Sequence, residues 1–324
     1  MRKIVAAVKL MRPAQWVKNV FVLAALVFGV RIDKPESLEA ILVALAAFGI
    51  FCLLSAAVYA LNDLLDYRED AEHPTKKFRP VASGELSPQF AGVQSVVLAA
   101  VGVTASLYLP QGFALTAIGY LLLNLFYSLW GKHQVLLDVI LIAIGFVLRA
   151  LAGAQAIQVQ VSAWLVVCTF TLCLFLGFGK RRCELAVLEN GERAAKHRST
   201  LSFYSLELLA HLLAVTGAMA VMTFLLYTLD PNTPAPHTLV FTTPFVFFAI
   251  FRYAMVISSG KMTGPSDVLI HDRPFLVTAI LWTLMTVSLI VFQGRGIENY
   301  LPKLRYPGTP PAEKPAAPEI NFPS

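Results

Sequence analysis

Residues 41–70 read Ile41-Leu-Val-Ala-Leu-Ala-Ala-Phe-Gly-Ile-Phe-Cys-Leu-Leu-Ser-Ala-Ala-Val-Tyr-Ala-Leu61-Asn62-Asp63-Leu-Leu-Asp66-Tyr-Arg-Glu-Asp70. The part up to Leu61 is apolar apart from Ser55 and Tyr59, and a membrane span needs about 20 such residues. Acids follow at once. Asp63, Asp66 and Asp70 stand at i, i+3 and i+7, one face of a helix. Asn62 lies four residues before Asp66 and joins that face. Carboxylates gathered at the mouth of a membrane helix repel one another, and a hard divalent cation relieves the repulsion. Mg²⁺ prefers a few carboxylates plus phosphate oxygens. The run His73-Pro-Thr-Lys76-Lys-Phe-Arg79 comes next. Pro74 ends the helix and forces an extended step, so Lys76, Lys77 and Arg79 are expected to fold back toward an anion at the metal. A solvated helix end with mixed charges is the plain alternative. Position at a membrane boundary favours function, because carboxylates there are costly.

The rest of the chain is built the same way. Of 324 residues, 57% are hydrophobic and 14% charged, against about 25% charged in a soluble domain. Mean hydropathy is +0.66. Apolar runs recur at roughly 13–31, 38–61, 89–109, 111–130, 136–156, 162–179, 204–229, 238–258 and 274–293. The expected fold is all-α, a polytopic bundle of about nine transmembrane helices. Residues 1–293 form one catalytic domain, and 294–324 a Pro-rich, flexible tail. The first run has no small-residue cleavage site and is not read as a signal peptide. The four cysteines show no metal-ligand spacing and no disulfide framework.

Charge sets an expected orientation. Nineteen of the 26 Lys and Arg fall on one side of the alternating runs. The positive-inside rule then places the N-terminus and that face in the cytoplasm of the cell membrane, with the tail outside. The long, basic and acidic loops share that face, so the chemistry is expected there.

Three further segments carry polar groups beyond what a loop needs. In Arg12-Pro-Ala-Gln15-Trp-Val-Lys18-Asn19, the residues Arg12, Gln15 and Asn19 fall on one α-helical face; a basic anchor before the first span is the alternative. In the stretch from Tyr127 to Arg149, Lys132 and His133 lie on a turn, Asp138 at a span entry, and Arg149 three turns further on the same face. A lone Asp and a lone Arg in one apolar helix need partners, and an ion pair that fixes helix packing competes with function. In Gly177-Phe-Gly-Lys180-Arg181-Arg-Cys-Glu184, a Gly-rich entry into three cations suits phosphate, or stops transfer. Glu184 is then a metal ligand or a partner for Arg181.

These residues resemble the UbiA-type intramembrane prenyltransferase superfamily. Asn62-Asp63-x-x-Asp66-x-x-x-Asp70 is similar to its first aspartate motif, and the resemblance covers about residues 10–293. It is closest to the branch of decaprenyl-phosphate phosphoribosyltransferases. That branch resembles this chain at Arg12-Pro-x-Gln15-Trp-x-Lys18-Asn19, at His73-Pro-Thr-Lys76-x-Phe-Arg79-Pro80, at Lys132-His-Gln with Asp138, at Gly145-Phe-x-x-Arg149-Ala, and at Lys180-Arg181-x-x-Glu184-Leu. One departure stands out. Aromatic prenyltransferases of the superfamily carry a second Asp-x-x-x-Asp motif after the sixth span, where this chain has Lys180-Arg-Arg-Cys-Glu184.

The resemblance implies a bundle of nine helices around a central cavity, and transfer of 5-phosphoribosyl from phosphoribosyl diphosphate to a polyprenyl (decaprenyl) phosphate, toward a cell-wall arabinan precursor. Mg²⁺ or Mn²⁺ would be held by Asn62, Asp63, Asp66 and Asp70. Lys18, Lys76, Arg79, Lys132, Lys180 and Arg181 are expected to meet donor phosphates, and Asp138 the ribose hydroxyls. The competing reading is prenyl transfer to an aromatic acceptor, a quinone or haem precursor, with Phe126, Tyr127 and Trp130 shielding a carbocation. A transporter of an anionic solute would show inverted repeats, and no convincing repeat is present. No nucleic-acid partner is expected. The oligomeric state stays open, a homo-oligomer among the options.

Overall fold

The computed structural model describes residues 2–29, 37–73, 75–189, 199–231, 233, 235, 237–260, 262 and 264–292. The Pro-rich tail from Gly294 lies outside them, as do Arg193, Lys196 and Lys261. Every described element is helical. Hydrocarbon leaves no other choice for an unpaired segment, since each backbone N–H and C=O must be satisfied within it.

The elements run α1 (Arg2–Leu10), a 3₁₀ helix (Pro13–Leu23), α2 (Ala24–Gly29), α3 (Ser37–Glu72), α4 (Pro88–Ser106), α5 (Gln111–Leu129), α6 (Leu137–Ala156), α7 (Ala163–Glu189), α8 (Leu206–Leu229), α9 (Thr243–Ser258), α10 (Pro265–His271) and α11 (Arg273–Phe292). Among the described residues, 8 helices are long and apolar enough to cross a membrane. The first apolar run, expected as a further regular span, takes another form. It is an 11-residue 3₁₀ helix followed by the 6 residues of α2. Pro13 begins it, and Arg12 precedes it in the left-handed region, φ 50° and ψ 62°, outside the right-handed helical region that a residue before proline avoids. A 3₁₀ helix rises about 2.0 Å per residue. The two segments together reach about 31 Å, against about 26 Å for the same residues as an α-helix and about 30 Å of hydrocarbon. Overwinding lets a short run reach across.

Two apolar clusters share the bundle. One joins the 3₁₀ helix, α3, α5 and α6 through Val22, Phe51, Leu54, Phe113 and Tyr120. The other joins α6 through α9 around Phe175, Phe178, Leu209 and Tyr253. Helix α6 belongs to both and is the central element. Two glycines permit its close contacts and those of α7. A Cβ on Gly153 would strike the Val22 carbonyl oxygen, so only glycine lets the 3₁₀ helix lie against α6. A Cβ on Gly179 would meet the Tyr253 ring at 2.5–2.9 Å, and the Tyr253 hydroxyl donates to the Leu176 carbonyl at 3.2 Å.

Gly177 and Gly179 therefore sit inside α7 and serve packing. Helix α7 continues through Lys180, Arg181 and Glu184 to Glu189, so the expected Gly-rich loop is helical. Cys183 is buried on the same helix. At the same end of the bundle Asp272 closes α9 onto α11. It accepts from Arg252 Nε at 3.0 Å and Nη2 at 2.8 Å, and from the Phe275 N–H at 2.9 Å. These bonds hold its carboxyl below the usual range.

Candidate functional site

The acidic stretch stays helical. Helix α3 runs on to Glu72, past the apolar part, and presents Asp63, Asp66 and Asp70 along one end. Asp63 is 1% exposed. Arg12, turned inward by its left-handed backbone, pairs with it, and the same guanidinium lies 5.1 Å over the Tyr59 ring. Past α3 the chain turns back through a short 3₁₀ turn, Lys76–Phe78. The His73 ring caps the turn, with Nδ1 accepting the Thr75 N–H at 3.2 Å and the Lys76 N–H at 3.3 Å. Arg79 thereby pairs with buried Asp70 and approaches Asp63 at 3.6 Å. Lys76 lies 3.8 Å from Asp70. Lys77 instead lies over the exposed Phe78 ring, at 5.2 Å. Of the three cations expected to fold back, two do. From the turn between α5 and α6, Lys132 pairs with Asp66.

The carboxylates are thus each held by a cation. Among the described residues, no three His, Cys, Asp or Glu side chains converge as a ready metal cluster. Two oxygens nevertheless stand open. Asn62 Oδ1 and Asp63 Oδ2 are buried and accept no hydrogen bond. Buried acceptors without partners are rare and costly. Adjacent amide and carboxylate oxygens are the donor set a hard divalent cation takes, so these residues fit such an ion.

A second cluster lies between α6 and α7. Asp138 is 0% and Arg181 2% exposed, and they pair at 3.6 Å. Arg181 also meets Glu184 at 2.9 Å, and Lys180 meets Glu184 at 3.9 Å. Glu184 is thus the partner of Arg181, one of the two roles open to it from sequence. The Tyr204 hydroxyl accepts the Leu136 N–H at 2.7 Å and donates to Asp138 at 3.4 Å. Burial pushes its phenol above the usual range and keeps it a donor. The competing reading from sequence, an ion pair for Asp138 that fixes helix packing, is met by Arg181 of α7, while the bonds of Arg149 go elsewhere. Arg181, expected on a donor phosphate, is packed inside and supports Asp138.

Arg149 belongs to a third cluster. It is buried in α6 and donates to Asn19 Oδ1 at 2.9 Å, the Gly145 carbonyl at 2.9 Å and the Tyr120 hydroxyl at 2.8 Å. Its guanidinium stacks on the Tyr120 and Phe146 rings, at 4.7 and 5.0 Å. Asn19 in turn donates to Ser55 at 3.0 Å. The shared face expected for Arg12, Gln15 and Asn19 does not form, because a 3₁₀ helix repeats every three residues. Asn19 shares the buried face with Trp16 and Val22. Ala14, Val17 and Val20 face outward. Gln15, Lys18 and Phe21 share the half-buried face between them.

Tyr120, Ser55 and Tyr204 were not singled out by sequence. A lone hydroxyl in or beside an apolar run gives no signal until its partner is known. Tyr127 is half-buried in α5. Phe126 and Trp130 pack on each other at 5.3 Å and are both exposed.

Comparison with known proteins gives the family. The chain is 33% identical over 290 residues to a decaprenyl-phosphate phosphoribosyltransferase of Corynebacterium glutamicum, covering 87% of this chain and 86% of that protein. It is 32% identical over 294 residues to the Mycobacterium tuberculosis protein of that name, covering 89% and 95%. Among solved structures, a UbiA homolog from Archaeoglobus fulgidus bound to DMAPP and Mg²⁺ has the same fold. Its TM-score is 0.68 at 18% identity, covering 88% of this chain and 98% of that one. The UbiA prenyltransferase family model matches residues 20–255. A helical bundle with an acid-and-base end, matched over that length, makes this chain a multi-pass membrane member of the UbiA prenyltransferase family.

Proposed function

We propose that this chain moves 5-phosphoribosyl from phosphoribosyl diphosphate to a polyprenyl phosphate and releases diphosphate, a step toward a cell-wall arabinan precursor. The carrying observation is the charge balance at one end of the bundle. Asp63, Asp66, Asp70, Asp138 and Glu184 each have a cation, and further cations, Lys18 and Arg149 among them, remain beyond them. A site with that surplus suits two highly anionic substrates. The identity to the two decaprenyl-phosphate phosphoribosyltransferases supports this choice of donor and acceptor.

Asn62, Asp63 and Asp66, with Asp70 beside them, would hold Mg²⁺ or Mn²⁺. The ion supplies Lewis-acid neutralisation of the leaving diphosphate when bound. A UbiA homolog carrying Mg²⁺ supports that assignment. The chain's own residues do the rest. Arg79, Lys76 and Lys132 exchange carboxylate for donor phosphate oxygens, which are equally good partners for a charge-assisted bond. That exchange frees the acidic face as substrate arrives. Asp138, held by Arg181 and Tyr204, fixes the start of α6 and with it the Lys132 turn. The acceptor phosphate oxygen bonds to C1 of the ribose, the C1–diphosphate bond breaks, and diphosphate leaves with the electron pair. The acceptor is already ionised at neutral pH, so no general base is needed. The positive-inside rule places this end, with the N-terminus, in the cytoplasm of the cell membrane.

The test is to incubate membranes holding the chain with radiolabelled phosphoribosyl diphosphate and a polyprenyl phosphate, then extract with solvent. Label passing into the lipid phase is expected. Label passing only from a prenyl diphosphate to an aromatic acceptor would overturn the proposal.

A further inference from the structure

Lys18 and Arg149 lie at least partly buried beside the site and have no carboxylate partner among the described residues. Every bond Arg149 makes is to a neutral group, yet it sits inside a membrane bundle. An uncompensated charge there is expensive and is kept where a ligand completes it. Lys18 lies within electrostatic reach of Arg149, Arg12 and Lys180. Two of those, Arg12 and Lys180, already have acids at Asp63 and Glu184.

The surroundings differ from those of the Asp63–Asp70 face. Lys18 and Phe21 share one face of the 3₁₀ helix, and Phe21 meets Phe146 of α6 edge-on at 5.0 Å. Phe146 also carries the Arg149 guanidinium on its ring. The adjoining face bears Val17 and Val20, 63% and 50% exposed, on the outside of a bundle that lies in lipid. Two cations and an aromatic wall therefore stand at the seam between the interior and the lipid-facing surface. A water-soluble sugar phosphate gains nothing from that wall. A phosphate monoester on an apolar chain uses both parts.

We infer that Lys18 and Arg149 form the phosphate subsite of the lipid acceptor, separate from the Arg79–Lys76–Lys132 cluster that takes the donor, with Phe21 and Phe146 against the first units of the apolar chain. The inference rests on the proposed function and reassigns Lys18 from donor to acceptor. Arg149, held on three sides, is the fixed member of the pair. Lys18, on a half-buried face, is the adjustable one.

The test uses the full chain in detergent and needs no donor for its first arm. Binding of farnesyl phosphate is titrated calorimetrically beside inorganic phosphate, for the native chain and for Lys18→Gln and Lys18→Arg. Lys18→Gln is expected to weaken farnesyl phosphate about tenfold, the loss of one charge-assisted contact, and Lys18→Arg to recover most of it. Inorganic phosphate should bind far more weakly, since it cannot use the aromatic wall. In the second arm, Lys18→Gln should raise the acceptor KM by a similar factor and leave the donor KM within about twofold. Equal binding of farnesyl phosphate by native and Lys18→Gln proteins would overturn the inference while leaving the proposed function intact. So would a rise in the donor KM alone, or inorganic phosphate matching farnesyl phosphate. A native protein that binds no farnesyl phosphate would overturn both readings.

Discussion

Asp138→Asn separates support from substrate contact at the α6–α7 junction. Asp138 is fully buried and faces Arg181, itself buried, at 3.6 Å. Removing one member of a buried ion pair typically costs about 3–5 kcal/mol, because the other charge is left uncompensated. Here the cost is smaller. Arg181 keeps Glu184 at 2.9 Å, and the new amide still accepts from Tyr204. A loss of about 2 kcal/mol is the reasoned value. For a chain of this size that corresponds to a fall in Tm of about 4 °C, read by thermal unfolding in detergent. The double change Asp138→Asn with Arg181→Met removes both charges and should recover most of the loss, with a coupling of about 1–2 kcal/mol. Pairing Asp138→Asn with Arg149→Gln should recover nothing, since Arg149 bonds elsewhere. The same variants are then given a 2-deoxy donor. If Asp138→Asn leaves Tm unchanged but loses discrimination against that donor, the carboxylate contacts ribose and the supporting role is refuted.

Other outcomes follow from the same geometry. Excess chelator should abolish turnover, and Asp63→Ala should lower it about a hundredfold or more while the protein stays folded; full activity in chelator would remove the metal assignment at Asn62 and Asp63. Arg79→Ala and Lys132→Ala should each raise the donor KM more than the acceptor KM, and steady-state kinetics with both substrates varied would show the reverse if these cations served the lipid. Gly153→Ala should destabilise by about 1–3 kcal/mol, the range for overpacking, because its Cβ meets the Val22 carbonyl and not a movable side chain; an unchanged Tm would mean that the 3₁₀ helix does not press on α6.

The bundle was legible because its signal is one-dimensional. Apolar runs of span length and alternating basic loops need no partner to be read. The acidic face of α3 was legible for the same reason: Asp63, Asp66 and Asp70 are spaced by one helix. The failures of pairing involve residues drawn from different helices. Asp138 and Arg149 share a face of α6 but stand about 16 Å apart along it, so each takes its partner from another helix. The structure gives Asp138 to Arg181 on α7 and Arg149 to Asn19 on the 3₁₀ helix. Nothing in the spacing distinguishes those choices. The face assigned to Arg12, Gln15 and Asn19 failed through its period. A repeat of 3.6 joins them, and a repeat of three puts Asn19 on a different face from Gln15. The only local sign was Pro13, which fixes where a helix starts but not how tightly it winds.

That difference of period decides how the site is divided. As an α-helix, the segment would turn Arg12, Gln15 and Asn19 toward one acidic cluster and build a single substrate pocket. As a 3₁₀ helix it sends Arg12 to Asp63, Asn19 to Arg149, and Lys18 to the face between them. One short segment then touches both clusters. Asn19 fixes the guanidinium of Arg149, while Arg12 screens Asp63. The proposed reaction between a phosphate on a lipid and a sugar carbon needs the two anions close together despite their repulsion. Cations supplied to both from a single backbone segment hold that separation by covalent geometry, where two independent loops would leave it to chance. Because Gly153 holds this segment against α6, a side chain at that position should disturb the two substrates together. Lys18→Gln, which leaves the backbone in place, should disturb only one.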